Sequence, residues 1–148
     1  MSTPRISCVK TYIEEIPTSE LDSILPLAQK ANPGLSAYVL KDRLSSMIEY
    51  DYHCAGLYLE NKLIGISGFW IGSKFYCGKY MELDNVFIEK EHRSTGLGEI
   101  LVDWLEQYAK NLNCQVIMLD AYTSNTRAHK FYMQKNYEII GYHFSKTL

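Results

Sequence analysis

Cysteine is scarce in this chain and poorly placed for cross-link or metal chemistry. There are four in 148 residues, Cys8, Cys54, Cys77 and Cys114, far apart, with no CxxC pair and no histidine at zinc-ligand spacing. That pattern argues against a disulfide framework or a metal site and for reduced thiols in the cytoplasm. Long apolar runs are missing too. The longest, Leu63 to Gly72, is broken by glycines and falls far short of the about 20 residues a bilayer demands. The N-terminal stretch around Arg5 and Lys10 has neither the apolar core nor the small-residue cleavage site of a signal peptide, so no membrane partner is expected. Charge of one sign is lacking as well. A net charge of -2, with the two signs interspersed and no block of like charge, gives no basic face for phosphate backbones, and nucleic acid is not expected as a partner.

What the chain has is apolar and aromatic mass: 47% hydrophobic residues, 12 of the residues being tyrosine. A chain this long buries roughly two-thirds of its unfolded surface, so a single domain over residues 1–148 is expected to fold without staples. Residues 5 to 13 alternate and read as a first strand that Pro17 ends. Ser19 with Asp22 gives a capping-box pattern for a helix carrying Leu21, Ile24, Leu25 and Ala28, closed by Asn32, Pro33 and Gly34. A second helix starts near Ser36, with Leu40, Leu44, Met47 and Ile48 on one face, and ends near Tyr50. Residues 53–59 and 62–71 flank Glu60 and Asn61 as an antiparallel hairpin, and 72–79 read as a turn.

Tyr80 to Ile88 forms the fourth strand. Strict alternation puts Glu82, Asp84, Val86 and Ile88 on one face and Met81, Leu83, Asn85 and Phe87 on the other. The next helix is the clearest, with Leu97, Ile100, Leu101, Trp104, Leu105, Tyr108 and Leu112 on one stripe. Val116 to Ala121 is a short strand. Ser124 or Asn125 can cap a last helix whose inner face includes Ala128, Phe131 and Tyr132, and one or two strands finish the chain over 137–148. The order β-α-α-β-β-β-α-β-α-β(-β) is mixed α/β, of α+β type, with a largely antiparallel sheet.

Chemistry concentrates between the fourth strand and the clearest helix, VFIEKEHRSTGLGEILVDWL. A glycine-bearing loop opening a helix presents unpaired backbone N–H groups in one direction, a cup for a pyrophosphate that the helix dipole favours further. Gly96 and Gly98 let the backbone approach a ligand, and Arg93 can add charge at the rim. Arg93, Gly96 and Gly98 fill the R/Q-x-x-G-x-G/A positions of the GNAT superfamily of acyl-CoA-dependent N-acetyltransferases, which the chain resembles. DAYTSNTRAHKFYMQKNY is similar to that family's next strand and helix, with Asn125, Ala128, Phe131 and Tyr132 in its N-x-x-A-x-x-F-Y arrangement. Three positions depart from the pattern: Ser94 where many members have glycine, Lys90 where proline is common, and Asn136 where glycine usually follows the last helix. Ser94 still offers its N–H, and asparagine tolerates the left-handed conformation of a helix end.

The resemblance implies a GNAT-like fold, with a mixed, mostly antiparallel sheet of six or seven strands flanked by four helices, and acetyl-CoA as co-substrate. Arg93, Ser94, Thr95, Gly96, Leu97 and Gly98 would hold the pyrophosphate. Backbone groups of Val86, Phe87 and Ile88 would pair with the pantetheine arm and supply the oxyanion donors, with Asn125 as a further pantetheine contact. Tyr132 would protonate the departing thiolate. Attack on a thioester needs a neutral amine, so the site needs a proton acceptor. Glu82 and Asp84 share a strand face and are the candidates, with a water as the alternative. Glu82 stands where the histone-acetylating branch has its base, and Asp84 where polyamine-acetylating members have theirs.

Two carboxylates tilt the expected acceptor toward a small-molecule primary amine. A protein lysine or N-terminus stays open, as does a noncatalytic acyl-CoA-binding module. A Rossmann-type nucleotide protein would place its glycine loop after an early strand of a βαβ series, which the hairpin before this loop contradicts. His53, His92, His129 and His143 have no partner spaced as in a triad or metal cluster. Tyr38, Tyr50, Tyr52, Trp70, Phe75 and Tyr76 are available to line an acceptor pocket or to fill the core. Relatives often pair, so a homodimer is compatible with the resemblance.

Overall fold

A computed structural model describes residues 10–148, so Cys8 and the first half of the strand expected over 5–13 lie outside the described residues. Strands β1 (Thr11–Glu15), β2 (His53–Leu59), β3 (Lys62–Lys74), β4 (Gly78–Ile88) and β5 (Val116–Leu119) form one sheet in that spatial order. The first three pairings, β1 with β2, β2 with β3 and β3 with β4, are antiparallel. Helices α1 (Leu25–Ala31), α2 (Ala37–Glu49), α3 (Leu97–Asn111) and α4 (Thr126–Gln134) complete the expected set. Sheet and helices together are the mixed α/β architecture that the sequence pattern anticipates.

The described residues fall in two compact units, one ending at Met118 and the other running from Leu119 to Leu148. In the first, helices cover both faces of the sheet. On one side a 3-10 helix, Thr18–Ile24, leads into α1, and Leu21, Ile24, Leu27 and Leu44 pack with Tyr52, Cys54 and Ile66. On the other, Phe69 meets Tyr108 of α3 edge-on at 5.7 Å, and Leu101 and Leu105 are fully buried. Each such leucine contributes roughly 1.5–3 kcal/mol of transfer free energy.

Local chemistry accounts for most boundaries. Ser36 caps α2, its hydroxyl accepting from Val39 N at 3.2 Å, and left-handed Glu60 and Asn61 (φ 47° and 67°) turn the β2–β3 hairpin. The capping box expected at Ser19 and Asp22 does not form. The segment starts as a 3-10 helix behind Pro17 with no side-chain cap, and Asp22 faces Lys41 at 3.5 Å. The stripe of α3 is also rotated from expectation. Val102 and Ala109 are buried beside Leu101 and Leu105, while Ile100 is 48% exposed, because the i, i+4, i+8 line from Leu101 meets the sheet and a broader stripe cannot. The turn expected over 72–79 shrinks to 75–77, since β3 and β4 stay paired out to Lys74 and Gly78.

In the second unit, Asn125 caps α4 and His143 Nδ1 lies 3.0 Å from Asp120 Oδ2. No strand forms over 137–148, which corrects the strand count from six or seven to five among the described residues. Ile140, Tyr142 and Phe144 alternate as a strand would, but they stand 73%, 82% and 92% exposed. Alternation supplies only a face; a strand also needs a neighbour for its backbone N–H and C=O groups.

Candidate active site

The register of β3 against β4 breaks at one point. Ile66 pairs with Phe87 and Gly68 with Asp84, so Asn85 and Val86 together oppose Ser67. This is a β-bulge, with Asn85 in the left-handed region at φ 54°. The extra residue takes the chain between Asp84 and Phe87 off the ladder and shifts the alternation by one. The expectation that Val86 and Ile88 share the face of Glu82 and Asp84 is thereby corrected. Phe87 joins that face, opposite Ile66 and packed on the α1–α2 core, while Ile88, opposite Gly65, joins the face of Leu83.

Beside the bulge a cavity of about 270 Å³ opens between α1, α2 and the sheet, and Asp84, Asn85, Trp70 and Tyr52 line it. The indole Nε1 of Trp70 donates to Asp84 Oδ2 at 3.1 Å, and the Tyr52 and Trp70 rings meet at 5.2 Å. Glu82, half-buried, stands opposite Trp70, one alternation nearer the hairpin tip. Neither carboxylate is in an ion pair among the described residues. Cys54 pairs with Gly68 on this face, and burial pushes its thiol up to about 12, so it does not supply a thiolate nucleophile near neutral pH. Burial likewise drives the Tyr52 hydroxyl well above the ordinary tyrosine range. Of the remaining aromatics, Tyr38, Tyr50, Phe75 and Tyr76 are exposed and line no part of this cavity.

The loop after β4 has the backbone of an anion nest. Ser94 (φ 62°) and Gly96 (φ 83°) are both left-handed, alternating with ordinary residues so that successive N–H groups converge. Gly96 is the N-cap of α3 and no side chain caps that end, which leaves the first-turn N–H groups for a ligand. A Cβ at Gly96 would meet nothing within 4 Å, so conformation and not crowding demands glycine there. Thr95 Oγ1 donates to His92 O at 2.6 Å, tying the loop to the turn before it. Arg93 folds back: its Nε donates to Ile88 O at 2.8 Å and its guanidinium lies 5.0 Å from the Phe87 ring. With Lys30, Lys90 and Glu91 these two residues line an open hollow of about 680 Å³. The converging amides, open α3 terminus and basic rim fit a diphosphate.

Glu89 holds the loop's base. Its carboxylate is almost fully buried and accepts from Lys30 Nζ at 2.8 Å. That hydrogen bond, ahead of the opposing burial, holds Glu89 below the usual carboxylate range and raises Lys30.

In the second unit, Asn125 Oδ1 accepts from Ala128 N at 3.1 Å. Tyr132 is half-buried, edge-on to Phe131 at 5.0 Å and to Tyr137 at 5.4 Å, and burial pushes its hydroxyl up to about 12. Left-handed Asn136 (φ 68°) ends α4 as a glycine would. Sequence reasoning missed the bulge, the Trp70–Asp84 hydrogen bond, the Lys30–Glu89 pair and Arg43, which also lines the smaller cavity. Two of these left a trace, Arg43 as a charge inside the apolar stripe of α2 and the bulge as Asn85, a residue type tolerant of positive φ.

Comparison with known proteins agrees with this geometry. A family model described as Acetyltransferase (GNAT) family matches residues 20–137. No curated protein sequence matches the chain. A GNAT family acetyltransferase from Staphylococcus aureus superposes with TM-score 0.74 at 25% identity, covering 93% of this chain and 98% of its own. Aminoglycoside N-acetyltransferase AAC(6')-Iy, solved in complex with CoA, gives TM-score 0.82 at 16% identity over 99% of each chain. A ribosomal-protein-alanine N-acetyltransferase from Brucella melitensis gives 0.78 at 16%, over 94% of this chain and 100% of its own. At 16% the likeness is one of fold. Because the family match takes in well over half of the chain, through the bulged strand and the loop to the end of the last helix, the protein belongs to the GNAT family of acetyltransferases.

Proposed function

We propose that the chain, acting as one catalytic domain, transfers the acetyl group of acetyl-CoA to a primary amine of a small molecule by direct attack in a ternary complex. The bulge in β4 carries this conclusion. It sets off-ladder backbone between the Asp84 carboxylate, which lines a cavity, and Phe87, which underlies the nest loop.

In this mechanism the amides of Ser94 to Gly98 bind the diphosphate, and Val86 to Ile88 pair with the pantetheine arm. Acetyl-CoA supplies the thioester. The ammonium of the acceptor gives a proton to Asp84 or Glu82, directly or through water. The amine nitrogen then bonds to the thioester carbon, and backbone N–H groups at the bulge hold the oxyanion. The C–S bond breaks, the thiolate takes a proton from Tyr132, and the nitrogen passes its second proton through water to the tyrosinate, restoring Tyr132 and giving amide and free CoA; the carboxylate returns its proton to solvent. A tyrosine titrating at about 12 stays protonated across the assay range and so serves as acid and not base. Asn125 would contact the pantetheine while capping α4. Free Cys54, Cys77 and Cys114 are compatible with the cytoplasm as the place of action.

Acetyl-CoA at a hundredfold excess over its Kd should stabilise the protein by about 2.7 kcal/mol, on the order of 5 °C or more in Tm. No shift at millimolar ligand removes the site. Tyr132→Phe should keep that shift and lower kcat about 100-fold, read as thiol release; unchanged turnover removes the tyrosine's role.

A further inference from the structure

Two opposite charges line the 270 Å³ cavity, and one of them is out of place for a helix that only packs. Leu40 and Leu44 of α2 are buried and Met47 is half-buried. Arg43 lies three residues after Leu40 and four before Met47, on the stripe that elsewhere is apolar. Those three and Arg43 all line the cavity. Arg43 is exposed and is in no ion pair among the described residues. Across the cavity wall stands Asp84, one carboxylate oxygen already held by the Trp70 indole. The other polar residues lining the cavity, Asn32 and Asn85, are neutral.

A cavity with one cation and one anion does not match an acceptor that carries only positive charge. A polyamine or aminoglycoside would meet Asp84 favourably and Arg43 as a like charge. The size points the same way, since about 270 Å³ is below the roughly 300–1,000 Å³ of pockets for drug-sized ligands. The remaining walls, including Leu25, Leu35 and Ile66, are apolar.

We infer that the acceptor is an amino acid with an apolar side chain, its carboxylate taken by Arg43 and its ammonium by Asp84. This rests on the acetyl-transfer function proposed above and on the cavity being its acceptor site. A guanidinium fork receives a carboxylate through two parallel hydrogen bonds, which an ammonium side chain cannot reproduce. Trp70 and Tyr52 line the cavity with Asp84, and aromatic rings beside a carboxylate suit an ammonium. Arg43 is thus a specificity-determining residue, with no part in bond making.

Thiol release should be measured with acetyl-CoA and leucine, methionine or phenylalanine, each against its decarboxylated amine, with spermidine and an aminoglycoside alongside. The amino acids are expected to exceed their matched amines in kcat/KM by about 10-fold or more. Arg43→Gln should erase that preference by raising KM for the amino acid while the matched amine, relieved of a like charge, gains or holds its kcat/KM, and should leave the acetyl-CoA thermal shift intact; Arg43→Lys should restore part of the preference. Better turnover of the decarboxylated or polycationic amines, or equal losses on both in Arg43→Gln, overturns the assignment. Should no amine release thiol, calorimetric titration of leucine and isoamylamine into the CoA-loaded protein separates the two claims. Leucine binding that Arg43→Gln abolishes keeps the amino-acid site and sinks the transfer reaction, whereas absence of leucine binding sinks both.

Discussion

Gly68→Ala tests whether the cavity beside Asp84 is as tightly built as its wall suggests. Gly68 pairs with Asp84 across the sheet and with Cys54 on the other side. A Cβ there would overlap the Tyr52 hydroxyl and stand 2.5 Å from Cε2 and 2.6 Å from Cζ of the same ring. Tyr52 is only 3% exposed and leans on Trp70, so the ring can yield only toward the cavity it lines. Overpacking of this kind costs about 1–3 kcal/mol, and each kcal/mol lowers Tm by about 4 °C in a chain of this size. Urea titration, followed by circular dichroism and tryptophan emission, reads the loss. Tyr52→Leu costs about 2 kcal/mol by itself but makes room for the methyl. In that background Gly68→Ala should cost at least about 1 kcal/mol less than in the wild type. The displaced ring also intrudes on the cavity shared with Asp84, so KM for the amine should rise while the acetyl-CoA thermal shift persists. A Gly68→Ala protein within about 0.5 kcal/mol of wild type, or strict additivity with Tyr52→Leu, refutes the packing described here.

Two further perturbations probe the loop and the last helix. Glu89 titrates below its unfolded value, so its stabilising contribution is complete above the ordinary glutamate pKa and fades as pH falls through the lowered folded value. Glu89→Gln should therefore lower the urea midpoint at pH 7, with the gap to wild type closing in acid below about pH 4; a gap independent of pH contradicts the Lys30 pairing. Asn125→Ala should cost about 1 kcal/mol as a lost cap, whereas Asn125→Asp keeps the cap. If the amide also serves the pantetheine, Asn125→Asp should raise the KM for acetyl-CoA at unchanged Tm, and unchanged kinetics leave Asn125 a cap alone.

The loop and the last helix were legible because their chemistry is local. Gly96 and Asn136 advertise left-handed backbone, Asn125 caps a helix three residues before Ala128, and each structure follows from a handful of consecutive residues. Ser94 shows where such reading stops being literal, for its φ of 62° meets a glycine's geometry with a serine. What could not be read is what depends on residues distant in sequence. The Lys30–Glu89 pair joins residues 59 apart, and Trp70 reaches Asp84 only because β3 and β4 stay in register past the turn. The last strands were misjudged for the opposite reason: alternation at Ile140, Tyr142 and Phe144 is local, but pairing is not.

The bulge explains why strict alternation failed on the strand where it mattered. In a regular strand residues 84 and 87 face opposite ways, because their separation is odd. One extra residue at Asn85–Val86 restores them to one face, so that Asp84 borders the α1–α2 cavity while Phe87 lies beneath the Arg93 guanidinium. Any acyl donor laid along this part of β4 with its phosphates on the nest would then bring its other end toward the carboxylate, with off-ladder backbone between. An unbulged β4 could offer the carboxylate to one side of the sheet or the loop's aromatic support to that side, but not both. Nothing in the residue types of IGISGF or MELDNV announces this phase change except an asparagine tolerant of positive φ. The feature that brings Asp84 and Phe87 to one face is therefore conformational, and it is the one that a reading of faces by alternation must miss.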